Sequence, residues 1–250
     1  CQDACVTDLI AALVSVALAA LIVVAGCAAT PPLLAAAVGL VVLVLAIGWA
    51  GLLGLPARLG SATMIVLTGW SAAALAVRAT EMARPLAPFA ALMAVSVLLA
   101  FGRELTRRDG RRDLVESVTG TLSGQALALL GGGWILVPTT RLALTALVVA
   151  VVAATASRLV AFMPLPPHVL GWAALVGGVV AGTAVGAVLD LARVLSLLLL
   201  AAAVAAVAAG LDRLVLTVAR GRGVPAALSV GAVPLLAVGT MTYTVARLLA

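Results

Sequence analysis

"DLVESVTGTLSG", from Asp113 to Gly124, holds the residues best placed to do chemistry in an otherwise hydrocarbon-like chain. Glu116, Thr119, Gly120, Ser123 and Gly124 are spaced three and four apart, so on a helix they share one face. That face can line a polar cavity, with Glu116 as a proton or cation site at its mouth and Gln125 beside it. A carboxylate at membrane depth is a functional candidate, although Glu116 falls at the edge of its apolar run.

The same stretch also has a purely structural reading. A charged loop over about residues 102–113 carries Arg103, Arg107, Arg108, Arg111 and Arg112. Each arginine would cost roughly 2.5–3.5 kcal/mol at the bilayer centre, so the loop is expected to meet lipid headgroups on the cytoplasmic side. Glu104, Asp109, Asp113 and Glu116 nearly cancel its charge. Glu104 stands four residues before Arg108, the favourable order for a helical pair. Gly110 suits the end of that helix, and Asp113 with Glu116 has capping-box spacing. A capped, self-neutralised joint between two membrane helices is therefore the first reading, and the polar cavity the second.

Enzyme signatures fit poorly. "DGRRD" matches the start of the CDP-alcohol phosphotransferase signature, but the later paired aspartates are missing. "GTLSG" is one residue longer than the serine motif of rhomboid proteases, and the single histidine, His168, sits in a Pro-rich loop rather than in a span. No Walker loop, dinucleotide fingerprint or metal-ligand cluster is present, so no catalytic residue, metal or cofactor is expected. Cys1, Cys5 and Cys27 cannot all pair and have no zinc spacing. "VAGC", ending at Cys27, looks loosely like a lipobox. The segment before it lacks a basic start and is acidic at Asp3 and Asp8, unlike a signal peptide. The start at Cys1 reads as a truncated or mis-started terminus.

Bulk composition says what must position these residues. The chain has 250 residues, 65% of them hydrophobic and only 10% charged. Soluble domains are about half apolar and about a quarter charged, so the solvent here is lipid. Within a bilayer, backbone groups are satisfied inside helices or closed barrels. Barrels alternate apolar and polar residues, whereas these runs are apolar all round. An all-α polytopic helix bundle follows, as a single transmembrane domain over residues 1–250. The net charge is +6 and all fifteen basic residues are arginine. They sit at the ends of apolar runs, as orientation signals do. With no aromatic-basic platform, nucleic acid is not an expected partner.

Nine segments are long enough to span. They are Leu9–Ala28, Leu33–Leu53, Ala62–Val77, Leu86–Phe101, Leu114–Val137, Leu142–Phe162, Val169–Leu189, Val194–Leu211 and Pro225–Leu249. Eight remain if the first is set aside. Val169 to Val218 is about twice one span, and Asp190-Leu-Ala-Arg193 is the natural turn within it. With the N-terminus inside, ten arginines, Arg158 among them as a snorkelling residue, lie inside and five outside. That favours a cytoplasmic N-terminus in a bacterial plasma membrane. Trp49, Trp70, Trp134 and Trp172 fall near span ends, as interfacial anchors would. Asp212–Arg213 and Asp190–Arg193 read as neutralising pairs at span ends.

Gly178, Gly182 and Gly186 form a zipper at four-residue spacing, and Gly120 with Gly124 repeats it before Gly131-Gly132-Gly133. Small faces let helices approach closely, first within the bundle and otherwise against a second copy, a membrane-protein partner or a cavity. "GLPARL" from Gly54 and "GVPAAL" from Gly223, each followed one span later by Arg78 or Arg247, form a faint repeat.

"GWAGLLGLPAR", "RRDGRRDLVESVTGTLSG", "LDRLVL" and "MTYTVARLL" resemble a group of small actinobacterial integral membrane proteins catalogued as permeases. The likeness runs from about Trp49 to Arg247, and "LVESVTGTLSG" is its most specific part. It implies transport of a small solute or lipid-linked compound and transfers no site residue. Polar groups suited to such a task are few, chiefly Thr119, Ser123, Gln125, Thr183 and Thr242. A structural or accessory subunit of a membrane complex is the alternative, and a membrane enzyme acting on lipids the third reading.

Overall fold

The computed structural model describes residues 2–28, 30–106, 113–137, 140–163, 165–218 and 223–249. They form ten α-helices: α1 (Gln2–Cys27), α2 (Pro31–Leu52), α3 (Arg58–Ala79), α4 (Ala87–Thr106), α5 (Leu114–Gly131), α6 (Arg141–Val160), α7 (Pro167–Leu189), α8 (Val194–Val218), α9 (Val224–Ala237) and α10 (Gly239–Leu249). Short 3-10 turns cover Gly132–Leu136 and Leu191–Arg193. Proline opens α2, α7 and α9, where its missing N–H costs no helical bond. The Thr140 hydroxyl caps α6 by accepting from Ala143 N at 3.3 Å. Gly54 and Gly223, which begin the two similar stretches, have φ of 68° and 103°, a backbone that favours glycine.

Eight helices are long and apolar enough to cross a membrane, which makes the chain a multi-pass membrane protein. The one left out is not the first, as the eight-span alternative supposed, but α5. It is shorter and more polar, and its traverse of the bundle is completed by the 3-10 turn after it. The chain turns at Asp190–Arg193, as length required. Residues 102–106 of the expected loop belong to α4, while Arg107, Arg108, Asp109, Gly110, Arg111 and Arg112 lie outside the described residues. The expected capping box is not formed by Asp113. Its backbone is left-handed (φ 53°, ψ 40°) and its side chain makes no cap bond. An N-cap normally has extended backbone, which aims the side chain back at the first turn. Here only the Asp113 carbonyl closes that turn, accepting from Ser117 N at 2.8 Å.

Two groups of helices are joined by a third. Helices α2 to α5 pack on one another, and α6, α7 and α8 form a tight trio. Between them run α1, α9 and α10. The central element is α9, buried from Ser229 to Ala237 and hydrogen-bonded to a helix on each side, α1 and α2. Ser15 Oγ donates to Gly231 O at 2.9 Å, and Ser229 Oγ donates to Leu45 O at 2.8 Å. At Gly48 any Cβ would sit 1.7 Å from Pro225 O, so α2 and α9 meet backbone to backbone.

The last crossing is broken at Val238, and it meets the other broken element, the α5 turn, at a glycine crossing. A Cβ on Gly133 would lie 2.3 Å from the Thr240 backbone, and one on Gly239 would lie 2.7 Å from Leu130 O. Helix breaks free carbonyls that need donors. Each break here supplies the other: Trp134 Nε1 donates to Leu235 O at 2.8 Å and Thr240 Oγ1 to Leu130 O at 2.9 Å. Trp134 is thus fully buried rather than an interfacial anchor, and so is most of Trp49. Trp70 and Trp172 are the exposed pair.

The zipper glycines of α7 face inward. A Cβ on Gly178, Gly182 or Gly186 would meet Ala205, Ala201 or Leu197 of α8 at 2.8, 2.8 and 3.1 Å, and α6 atoms Ala153 O, Ala153 Cβ and Val149 Cγ2 at 2.7, 2.9 and 3.3 Å.

Candidate functional site

The polar residues of α5 fall into two stripes. Glu116, Thr119 and Ser123 are exposed, whereas Ser117, Thr121 and Gln125, four residues apart, are buried. The buried stripe is bonded rung by rung to α3 and α4. Ser117 Oγ donates to Glu104 Oε1 at 2.7 Å, and Thr121 Oγ1 to Ser61 Oγ at 2.9 Å. Gln125 Nε2 donates to Thr68 Oγ1 at 3.1 Å, and Thr68 Oγ1 lies 3.1 Å from Ser96 Oγ. Gln125 therefore belongs to this seam and not beside Glu116. It sits five and six residues from Gly120 and Thr119, which puts it around the helix from the exposed stripe.

The exposed stripe faces a cavity of about 560 Å³. Glu116, Thr119, Gly120 and Ser123 form one wall, and Leu211, Leu214, Val215 and Val218 of α8 form the wall opposite. Trp49, Leu53 and Leu55 from the end of α2 close a third side, and Leu130 and Val233 also line it. It exists because α5 and α8 do not pack together. Gly120 and Gly124 allow the α2 end to approach α5. Cβ atoms there would meet Leu55 at 2.7 Å, and Ile65 at 2.4 Å with Trp49 at 2.8 Å. Trp49 Nε1 then donates to Gly120 O at 2.8 Å. The two hydroxyls are turned back on their own helix: Thr119 Oγ1 donates to Val115 O at 2.7 Å and Ser123 Oγ to Gly120 O at 2.9 Å.

Behind the α8 wall lies a feature the sequence did not reveal. Arg158 Nη1 and Asp212 Oδ1 are 2.9 Å apart, with the two side chains 3% and 4% exposed. The guanidinium also lies 4.6 Å from the Phe162 ring centroid. Arg158 therefore does not snorkel, and Asp212 takes a partner on another helix, 54 positions away (212 − 158), rather than its neighbour Arg213. Arg158 Nε, Asp212 Oδ2 and the adjacent Ser157 Oγ are buried without partners.

Arg103 was expected at lipid headgroups. It folds back instead, with Nη1 3.0 Å from Glu104 Oε1 and Nη2 donating to Ala57 O at 3.2 Å. The absence of a side chain at Gly60 makes room for it. Glu104 is itself buried, with Arg103 and Ser117 as partners, while Arg108 is outside the described residues. Thr242 donates to Val238 O at 2.8 Å, and Thr183 Oγ1 is buried without a partner. Neither reaches the cavity. Among the described residues no cluster of His, Cys, Asp or Glu could hold a metal ion.

The four-residue spacing of Ser117, Thr121 and Gln125 was available as a signal for the seam. The Arg158–Asp212 pair joins segments with no sequence relation. Set against family models, curated proteins and solved structures, the chain finds no match in any of the three.

Proposed function

We propose that this multi-pass membrane protein is of permease type, moving a small solute or lipid-linked compound, and that the space between α5 and α8 is its substrate site. The observation that carries this reading is the cavity itself. Its volume of about 560 Å³ suits a small molecule, since ligand sites run from about 300 to 1,000 Å³. It separates two helix groups that are bridged by interrupted helices. Transporters place their sites at such interfaces, beside discontinuous helices. The wall residues Glu116, Thr119 and Ser123 come from the block whose likeness to actinobacterial permeases is most specific. The arginine distribution supports a cytoplasmic N-terminus in a bacterial plasma membrane. The accessory-subunit reading has less support, because Gly178, Gly182 and Gly186 already face α6 and α8.

Proteoliposomes offered a panel of cationic, neutral and anionic amphiphiles test the reading. At least one member should accumulate above protein-free vesicles, and Leu214→Trp, which fills the cavity from its exposed α8 wall, should abolish that accumulation. A panel with no accumulation, or accumulation untouched by Leu214→Trp, contradicts the proposal.

A further inference from the structure

We infer that the crossing of the two interrupted helices is a gate at one end of the α5–α8 cavity, and that parting α10 from the turn after α5 opens the cavity to the other side of the membrane. This gate presupposes that the cavity is the substrate site and adds how that site reaches the second side.

Among the described residues, the cavity lining runs along α5 from Glu116 to Leu130, about 21 Å at about 1.5 Å per residue. That is about two-thirds of the roughly 30 Å of hydrocarbon in a bilayer. The crossing stands directly beyond it. Leu130 and Val233, which line the cavity, are followed by residues 131–137 and 234–239, all buried. Three consecutive glycines seat the turn among its neighbours. A Cβ would lie 2.4 Å from Leu236 on Gly131, 2.5 Å from Phe89 on Gly132 and 2.3 Å from the Thr240 backbone on Gly133. Contacts packed this closely are engaged or parted, with little between. The two sides of the break are held differently. α9 is tied to α1 and α2 through Ser15 and Ser229. α10 starts after the break at Val238 and is bonded outward by Thr240 Oγ1 to Leu130 O at 2.9 Å and by Arg247 Nη2 to Ala83 O at a long 3.4 Å. A released Thr240 hydroxyl has a second acceptor four residues back, Leu236 O, just as Thr242 and Thr244 already donate to Val238 O and Thr240 O. α10 can therefore pivot at Val238 while α9 stays in place. Transporters join a central site to discontinuous helices of this kind.

Thiol labelling in sealed membrane vesicles of each orientation tests this, with Ser123→Cys as a reporter in the cavity wall and the native cysteines replaced by serine. A membrane-impermeant maleimide should reach the reporter from the face that bears the start of α5. From the opposite face the rate should be at least about tenfold lower, because a minor conformer is about 0.1–10% populated. Gly133→Ala, which wedges the turn off α10, should raise the opposite-face rate at least about tenfold. Thr240→Val, which removes one bond and adds no volume, should raise it about two- to twelvefold. Gly182→Ala, which crowds α7 against α8 away from the crossing, should leave it unchanged. If Gly133→Ala does not accumulate, Thr240→Val decides the matter alone. The gate is overturned by no labelling from either face, by equal rates from both faces in the parent, by an opposite-face rate indifferent to Gly133→Ala and Thr240→Val, or by one raised as much by Gly182→Ala. Labelling that responds as expected, with no amphiphile taken up, would keep the gate and overturn the substrate reading. Uptake that Leu214→Trp blocks, with labelling indifferent to the crossing, would do the reverse.

Discussion

α5 carries polar side chains on two faces, and they meet opposite fates. On one face Ser117, Thr121 and Gln125 are buried and bonded across to Glu104, Ser61 and Thr68. On the other, Thr119 and Ser123 return their hydrogens to their own backbone and border an open cavity. α8 repeats the contrast: Asp212 is locked to Arg158 behind the wall, while the exposed Leu214 in front borders the cavity. Residue type alone therefore does not mark a site in a membrane protein. In hydrocarbon a polar group must find a partner, so most polar residues here serve as struts. The candidates for function are the hydroxyls of Thr119 and Ser123, which bond within their own helix at the edge of the cavity.

Substitutions that follow this division should have effects in a definite order. Asp212→Leu leaves the Arg158 guanidinium buried and uncompensated, a loss of about 3–5 kcal/mol. Thermal unfolding in detergent should show it as the largest drop, and the double variant Arg158→Leu/Asp212→Leu should recover most of it. Ser117→Ala removes a donor from the buried Glu104 carboxylate and should cost about 1.5–3 kcal/mol by the same assay. Thr121→Val breaks a bond between neutral hydroxyls and should cost about 0.5–1.5 kcal/mol. On the cavity face, Thr119→Ala and Ser123→Ala should stay within about 0.5 kcal/mol of the parent. If Ser123→Ala destabilised as much as Ser117→Ala, the two faces would not differ as described.

Much of this architecture was legible in the residues. Apolar runs marked each crossing, and the need for a turn within Val169 to Val218 placed it at Asp190. The stripe Glu116, Thr119, Ser123 was legible because helical period alone groups it. Three things were not. Gln125 was misplaced, because nothing in the local pattern says which of two polar stripes a neighbouring helix will cover. Trp49 and Trp134 looked like anchors, because position near a span end does not reveal that a carbonyl of another helix, Gly120 O inside α5 or Leu235 O near the α9 break, lies within reach of each indole. The Arg158–Asp212 pair and the crossing of Gly133 with Thr240 are encounters between distant segments, set by packing rather than by period.

The central claim is that α5 has one sealed face and one open to a cavity. Thiol labelling of Ser123→Cys and Thr121→Cys tests it most directly, with the native cysteines, including the exposed Cys27, replaced by serine. A water-soluble maleimide applied to the folded protein should modify the cysteine at 123 at least about tenfold faster than the one at 121, whose reaction requires local opening. Equal rates, or a faster reaction at 121, would contradict the account.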